Sequence, residues 1–192
     1  MKLRLIFILI TIVISSIAFS QFSIGVSFSG ISYHQGNVNT KPFKWKISKN
    51  GKLTGFVSVS LLASYQFNNY IGIKIIQNLA ISDCAGKFAG ITHIGIDFHD
   101  DIIGWESQKS QFSMTFGPFW YYRKNWLQEK EYTHKEGFLE LSKDNIWEHK
   151  FIWYGGVIEY SYYFNQHNAL TFSLLPAIPY LYTFGIGTKY KY

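Results

Sequence analysis

The chain has 192 residues, of which 19% are aromatic and 16% charged, and its formal net charge is +6. Soluble domains have about 25% charged residues, so the composition argues against an ordinary soluble domain. The basic excess is too mild to indicate a nucleic-acid-binding protein, and the single cysteine, Cys84, excludes an internal disulfide.

The first twenty residues have the pattern of a secretory signal peptide. Two basic residues precede an apolar run, and Ala18-Phe19-Ser20 places small residues three and one positions before a cut at Gln21. The apolar run is shorter than the roughly 20 residues that a membrane-spanning helix needs. We therefore expect residues 1–20 to be removed and residues 21–192 to form one domain.

Beyond this segment, apolar and polar residues alternate in eight stretches. A period of two predicts β-strands, because successive side chains of a strand point to opposite faces. The apolar faces, in chain order, run from Phe22 to Phe28, Val57 to Phe67, Ile71 to Leu79, Phe88 to Phe98, Phe112 to Tyr122, Ile152 to Phe164, Leu170 to Leu174 and Tyr182 to Tyr192.

These faces have the polarity of a membrane barrel. In a soluble barrel, large apolar side chains point inward and charged ones outward. Here the large face of every strand lacks charged residues, and the strand charges fall on the face that carries Ser, Gly and Thr. Exposing the large faces to water would cost roughly 25 cal/mol per Å² of apolar area, whereas in lipid the arrangement is favourable. The sequence therefore predicts an all-β fold, an eight-stranded antiparallel transmembrane barrel with up-and-down meander topology.

Long and short connections alternate along the chain. The two longest, 35–52 and 124–150, fall on the same side as 82–87 and 176–180. Bacterial barrels have short periplasmic turns and longer extracellular loops, so we expect these four links to be extracellular. The longest link could hold a hairpin that turns at Lys135-Glu136-Gly137.

Charged residues on the small face define a candidate lumen. We expect a polar network there, made of Lys74, His93, Asp97, Glu159 and Lys189. An eight-stranded barrel is only wide enough to be filled by side chains, so the network would plug the barrel and hold it rigid. His93 and Asp97 lie about 13 Å apart at 3.3 Å per residue, so their spacing predicts no catalytic dyad.

The outer rim offers three candidate catalytic residues, His34, Asp83 and Cys84. A thiol beside a histidine could act as a nucleophile. Cys84 equally fits a turn, and strand ends converge on the rim of any small barrel. No metal-ligand spacing or phosphate-binding glycine loop occurs, so we expect no metal and no other cofactor.

Pro118 and Pro176 interrupt predicted strands, and each removes a donor from the backbone ladder. In this one respect the chain resembles the eight-stranded lipid A palmitoyltransferase, in which strand prolines open lateral passages for lipid. It lacks the N-terminal amphipathic helix of that family. It also departs from the His-x-Ser arrangement of the lipid A deacylase, because it has His167-Asn168-Ala169.

The last predicted strand ends on an aromatic residue, Tyr192. It resembles the closing strand of bacterial outer-membrane barrels, in which this pattern serves as the assembly signal. Over residues 21–192 the chain resembles small barrels of the outer-membrane protein A or X type. The resemblance implies a Gram-negative outer-membrane location, a monomer, recognition by the barrel assembly machinery and contact with lipopolysaccharide. The resemblance assigns no catalytic residues to this chain.

We therefore expect a non-enzymatic outer-membrane protein that presents extracellular loops, chiefly 124–150, for adhesion or envelope interaction. One alternative is an outer-leaflet lipid-modifying enzyme of the lipid A acyltransferase or deacylase type. A second is a narrow, porin-like pore. No nucleic-acid partner is expected.

Overall fold

The computed structural model describes residues 21–35, 41, 44–81, 86–99, 109–129, 132, 139–177 and 181–192. The expected signal peptide, residues 1–20, lies outside them. The strands are β1 Gln21–His34, β2 Leu53–Gln66, β3 Ile71–Ile81, β4 Phe88–His99, β5 Ser110–Lys124, β6 Glu140–Leu141, β7 Trp147–Tyr163, β8 Asn168–Ala177 and β9 Leu181–Lys191. No helix in the described part of the chain is long and apolar enough to cross a membrane.

Eight of the nine strands form a closed antiparallel barrel. The hydrogen-bonded order is β5-β4-β3-β2-β1-β9-β8-β7, and pairing of β5 with β7 closes the ring. The predicted eight-stranded barrel is therefore confirmed. The ninth strand, β6, has two residues and pairs with Glu148 and His149 of β7. This hairpin turns at residues 142–146, whereas the expected turn at 135–137 lies outside the described residues.

Paired residues around the wall show how far the strands are staggered. Ile152 of β7 pairs with a residue of β5, which pairs with a residue of β4, and so on around the barrel. This chain of pairs returns to β7 at Tyr163, eleven residues further along the strand. One of those residues is an extra one in a bulge, which leaves a stagger of about ten. With strands about 4.8 Å apart, this stagger tilts them by about 40°, the range of transmembrane barrels.

Two bulges shift the alternation of side chains. One lies at Gly30 in β1, which is an extra residue relative to β9, and the other places Trp153 and Tyr154 of β7 opposite Pro118 of β5. Each adds one residue to a strand and so exchanges the faces beyond it. As a result His34, expected at the rim, is buried inside the barrel, and Ile152, expected on the lipid face, packs in the lumen.

The barrel has two distinct ends. The terminus end carries both ends of the barrel domain and the links β2–β3, β4–β5 and β7–β8. The loop end carries the links β1–β2, β3–β4, β5–β7 and β8–β9. The links at the loop end include the two longest in the chain, which agrees with the alternation found in the sequence.

Candidate functional site

Four charged side chains form an ion cluster in the terminus-end half of the lumen. Lys74 Nζ lies 3.0 Å from Asp97 Oδ1 and 3.5 Å from Glu159 Oε1, and Lys189 Nζ lies 2.9 Å from the same Glu159 oxygen. All four are at least 95% buried. Two ammonium groups and two carboxylates balance in charge, so the cluster is an internal plug with no excess charge. The structure thus brings together four of the five expected lumen residues.

Neutral side chains complete the hydrogen bonds of the ion cluster. Thr115 Oγ1 donates to Asp97 Oδ1 at 2.6 Å, and Lys74 donates to Ser113 Oγ at 2.9 Å. His99 Nε2 lies 3.5 Å from Asp97 Oδ2. Buried charges are stable only when their remaining donors and acceptors are paired. Sequence reasoning missed Ser113, Thr115 and His99, although all three occupy the small faces of their strands.

His93, the fifth expected lumen residue, stands apart from the ion cluster. Its Nδ1 donates to the carbonyl of Pro118 at 3.0 Å, and its ring stacks on Phe119 with centroids 4.1 Å apart. The pairs that would join Ile94 to Pro118 and Gly95 to Gly117 are missing from the β4–β5 ladder. Proline has no N–H, so the bond that the ladder loses here is the one from Pro118 N to the carbonyl of Ile94, and the imidazole adds a side-chain hydrogen bond between the two strands at this interruption.

The middle of the lumen is apolar. Buried side chains from β3, β4, β5, β7, β8 and the link before β6 meet there, with two partly buried neighbours, and we name this set the apolar layer. Its members are Ile76, Ile91, Phe119, Tyr121, Leu139, Val157 and Leu175, with Leu62 and Ile152 packed against them. Phe119 and Tyr121 share the small face of β5 with Ser113 and Thr115, so the sequence did hold the signal for this layer.

An aromatic and charged cluster, the rim cluster, lies at the loop end. Arg123 Nε lies 2.5 Å from Glu148 Oε2, and both side chains are buried. Tyr132 donates to Glu148 Oε1 at 2.7 Å and accepts from Arg123 Nη2 at 3.0 Å. The guanidinium also lies 3.4 Å from the ring centroid of Trp126. Sequence reasoning missed this cluster, since it joins residues of two strands and a loop.

The phenol of Tyr132 lies outside the strands, and its pKa is raised. Burial is the main cause, and the hydrogen bond to Glu148 is the next. The phenol therefore remains protonated and continues to donate to the carboxylate at neutral pH. This bond fastens the β5–β7 loop to the wall.

The structure does not assemble the three rim residues proposed for catalysis. His34 points into the barrel, where its Nε2 lies 3.3 Å from Thr54 Oγ1. Asp83 and Cys84 lie outside the described residues. Among the residues that the structure does describe, no three potential metal-binding side chains cluster.

The β1–β2 link contains an ordered basic hairpin, residues 44–55. Gly55 N donates to Trp45 O at 2.7 Å, Ile47 N donates to Leu53 O at 2.8 Å, and Gly51 has the positive φ of 68° that a tight turn favours. The sequence from 35 to 52 has five lysines and no acidic residue. The exposed stretch Lys44-Trp45-Lys46-Ile47 alternates charged with large apolar side chains.

The side chains on the outer wall indicate which environment surrounds the barrel. Large apolar side chains project from every barrel strand, and Phe28, Leu61 and Ile186 are each more than half exposed. Inside, the terminus-end half is polar and charged. A barrel with an apolar outer surface and charged residues inside is stable only where lipid surrounds its wall. Closed antiparallel barrels with an even number of strands are the form that bacterial outer-membrane proteins take. The protein is an outer-membrane β-barrel.

Comparisons with known proteins give similar architectures. No protein-family model and no curated protein matches the chain. Among solved structures, the barrel is similar to the outer membrane protein OprG of Pseudomonas aeruginosa, with 11% identity, 91% of this chain and 96% of that chain covered, and a TM-score of 0.48. It is also similar to the N-terminal barrel domain of P. aeruginosa OprF, with 10% identity, coverage of 88% and 97%, and a TM-score of 0.47. It is also similar to Ail, the attachment invasion locus protein of Yersinia pestis, with 12% identity, 90% of this chain and 97% of that chain covered, and a TM-score of 0.44.

Proposed function

We propose that this outer-membrane barrel is a plugged scaffold that binds anionic groups of the cell envelope, such as lipopolysaccharide phosphates, through the basic hairpin. The observation that carries the proposal is the exposed alternation Lys44-Trp45-Lys46-Ile47. Lysine binds phosphate as a point charge, and tryptophan favours the interface between lipid and water. Both preferences suit a negatively charged membrane surface.

Contacts between loops support a preformed binding surface. The carboxylate of Glu129, in the β5–β7 loop, lies 3.5 Å from Lys44 Nζ of the hairpin and 3.5 Å from Lys87 Nζ beside β4. Lys87 also donates to the carbonyl of Asn125 at 3.0 Å. Three loops are therefore held in one arrangement, which reduces the conformational entropy lost on binding.

The filled lumen favours a scaffold over a narrow pore. The ion cluster, the apolar layer and the rim cluster occupy the barrel in succession. Between the first two lies a cavity of about 20 Å³. A cavity of this size holds about one water molecule, so the described lumen offers no continuous path for a solute.

Binding to lipopolysaccharide tests the proposal. We would fold the protein in phosphatidylcholine bilayers, replace Lys46, Lys49 and Lys52 by Gln, and titrate with purified lipopolysaccharide. Each surface lysine contributes about 1 kcal/mol near an anionic membrane, so affinity should fall by about 100-fold at low salt. Added salt should weaken the wild-type affinity.

The matched control is a triple variant with the same charge change at the same end of the barrel, Lys124, Lys143 and Lys150 to Gln. It should lose much less affinity. Equal losses in the two triple variants would mean that net charge alone drives binding, and an unchanged affinity in the hairpin variant would remove the hairpin from the interface. Either outcome overturns the proposal.

A further inference from the structure

The basic hairpin contributes a short strand to the barrel wall. β2 pairs with β3 only as far as Val57, while its other edge stays paired with β1 as far as Leu53. Beyond Val57, the edge that β3 has left pairs with the hairpin, because Gly55 N donates to Trp45 O at 2.7 Å. Residues 45–47 therefore take the place that β3 would occupy if it continued.

The two faces of this hairpin strand differ in polarity. Lys46 is paired with Thr54, whose side chain is buried inside the barrel, and directly paired residues of antiparallel strands share a face. Trp45 and Ile47, one position to either side, therefore point to the outer face. A Cβ placed on Gly55 would lie 3.4 Å from Trp45 Cβ, which agrees with this assignment. The strand has an apolar outer face and a basic inner face.

The outer face of the hairpin strand continues the lipid-facing wall. Gly55 pairs with Ile31 of β1, and Ile31 pairs with Phe184 of β9. Ile31 and Phe184 project from the wall with exposed fractions of 44% and 53%. Trp45 and Ile47 have similar exposed fractions, 41% and 55%. They therefore add one more strand to the apolar surface that the wall presents to lipid.

The height of Trp45 matches the loop-end edge of the lipid layer. Tyr65, at the terminus end of β2, and Gly55 lie ten residues apart on the outer face of the same strand. At about 3.3 Å per residue and a tilt of about 40°, they differ in height by about 25 Å, which is the height of the apolar band of outer-membrane barrels. Trp45 is bonded to Gly55, so it lies at the loop-end limit of this band, where tryptophan is enriched.

We propose that Trp45 and Ile47 form a membrane-contact surface, which seats the basic hairpin against the lipid at the loop-end interface. Lipid is the occupant because this face is continuous with the lipid-facing wall and carries no charged residue. The proposal goes beyond anion binding, since neutral lipids offer the same hydrocarbon. It also sets the depth of the hairpin, so that the turn after Ile47, which contains Lys49, is held beside the lipid headgroups.

Spin labelling tests the two faces of the hairpin strand. In a Cys84→Ser background we would prepare Trp45→Cys, Lys46→Cys and Ile47→Cys, attach a nitroxide to each, and fold the proteins in phosphatidylcholine bilayers without lipopolysaccharide. Oxygen concentrates in lipid, whereas a nickel chelate stays in water. The ratio of collision rates with oxygen and with nickel should be several-fold higher at positions 45 and 47 than at position 46.

Two labelled reference sites calibrate this ratio. Ile186 lies on the lipid-facing wall and Ile146 in the loop before β7, and both are at least half exposed. Ratios at Trp45 and Ile47 as low as that at Ile146 would show a face open to water or to a soluble partner. Equal ratios at positions 45, 46 and 47 would show that the two faces do not differ. Either result overturns the proposal.

Photolabelling tests the same surface in the unaltered chain. We would use bilayers that contain a phosphatidylcholine with a diazirine at the headgroup end of its acyl chain, and map the adducts by mass spectrometry. Adducts should form on Trp45 or Ile47 and on the wall, but not on Lys46. Labelling of the wall without Trp45 and Ile47, or equal labelling of Lys46, would overturn the proposal. Because no anionic lipid is present, these outcomes are independent of the lipopolysaccharide titration.

Discussion

The imidazole of His93 on β4 donates its Nδ1 proton to the carbonyl of Pro118 on β5 at 3.0 Å. A side chain thus adds a hydrogen bond between the two strands at a place where proline interrupts the backbone pairing. Replacing His93 by Leu removes this hydrogen bond and should lower the free energy of unfolding by about 1 kcal/mol. Urea unfolding in lipid vesicles measures the change. His93→Gln, which can still donate, should recover part of the loss, and equal stability of the Leu and Gln variants would contradict this role.

Glu159 neutralises two lysines, Lys74 and Lys189. Glu159→Gln should lower the free energy of unfolding by about 3 to 5 kcal/mol, because it leaves a buried ammonium group uncompensated. The exposed substitution Glu140→Gln is the control and should change stability little. Removing Lys189 as well, in the double variant with Lys189→Met, should restore much of the loss. A double variant as unstable as the single one would rule out charge imbalance as the cause.

Ile186 and Ile146 offer a matched pair for the lipid face. Both are at least half exposed, but Ile186 lies within β9 and Ile146 lies in the loop before β7. Ile186→Arg should lower the free energy of unfolding in bilayers by about 2 to 4 kcal/mol if its site is at the bilayer midplane. Ile146→Arg should be close to neutral. Equal tolerance of arginine at the two positions would argue against lipid around the wall.

We expect the stabilising contribution of Tyr132 to depend on pH in the alkaline range. Its pKa is raised in the folded protein, so its contribution to stability is complete below the ordinary value of about 10 and declines as pH rises above it. Tyr132→Phe should therefore be less stable than wild type at pH 8, by about 1 kcal/mol for the lost hydrogen bond. The difference should narrow by pH 11, and urea unfolding at both pH values measures it. A difference that is constant between the two would refute the assignment.

The orientation follows from where the long links lie. An epitope inserted in the β6–β7 turn, between Lys143 and Asp144, should bind antibody on intact cells. The same epitope between Gln166 and His167, in the β7–β8 turn at the other end, should bind only after the outer membrane is opened. The reverse pattern would show that the barrel has the opposite orientation, with the basic hairpin in the periplasm.

Alternation along each strand determined the strands, their large and small faces and the barrel class, because side-chain direction in a strand depends only on position along it. It also placed Lys74, Asp97, Glu159 and Lys189 on the small face. Their contacts depended on closure of the ring, which brings Lys74 of β3 to Glu159 of β7.

Departures from strict alternation were decided by tertiary structure. A bulge adds one residue without a distinct pattern in this sequence, and so Gly30 and the Trp153-Tyr154 pair turned His34 and Ile152 inward. The prolines were visible in the sequence as missing donors, but the effect of each depended on which neighbour its nitrogen faces. The nitrogen of Pro118 faces β4, and the β4–β5 pairs resume beyond it at His93 and Phe119. The nitrogen of Pro176 faces β7, and among the described residues the last β7–β8 pair before it is Ile158 with Leu174. Only the register of the closed sheet assigns each backbone group to a neighbour.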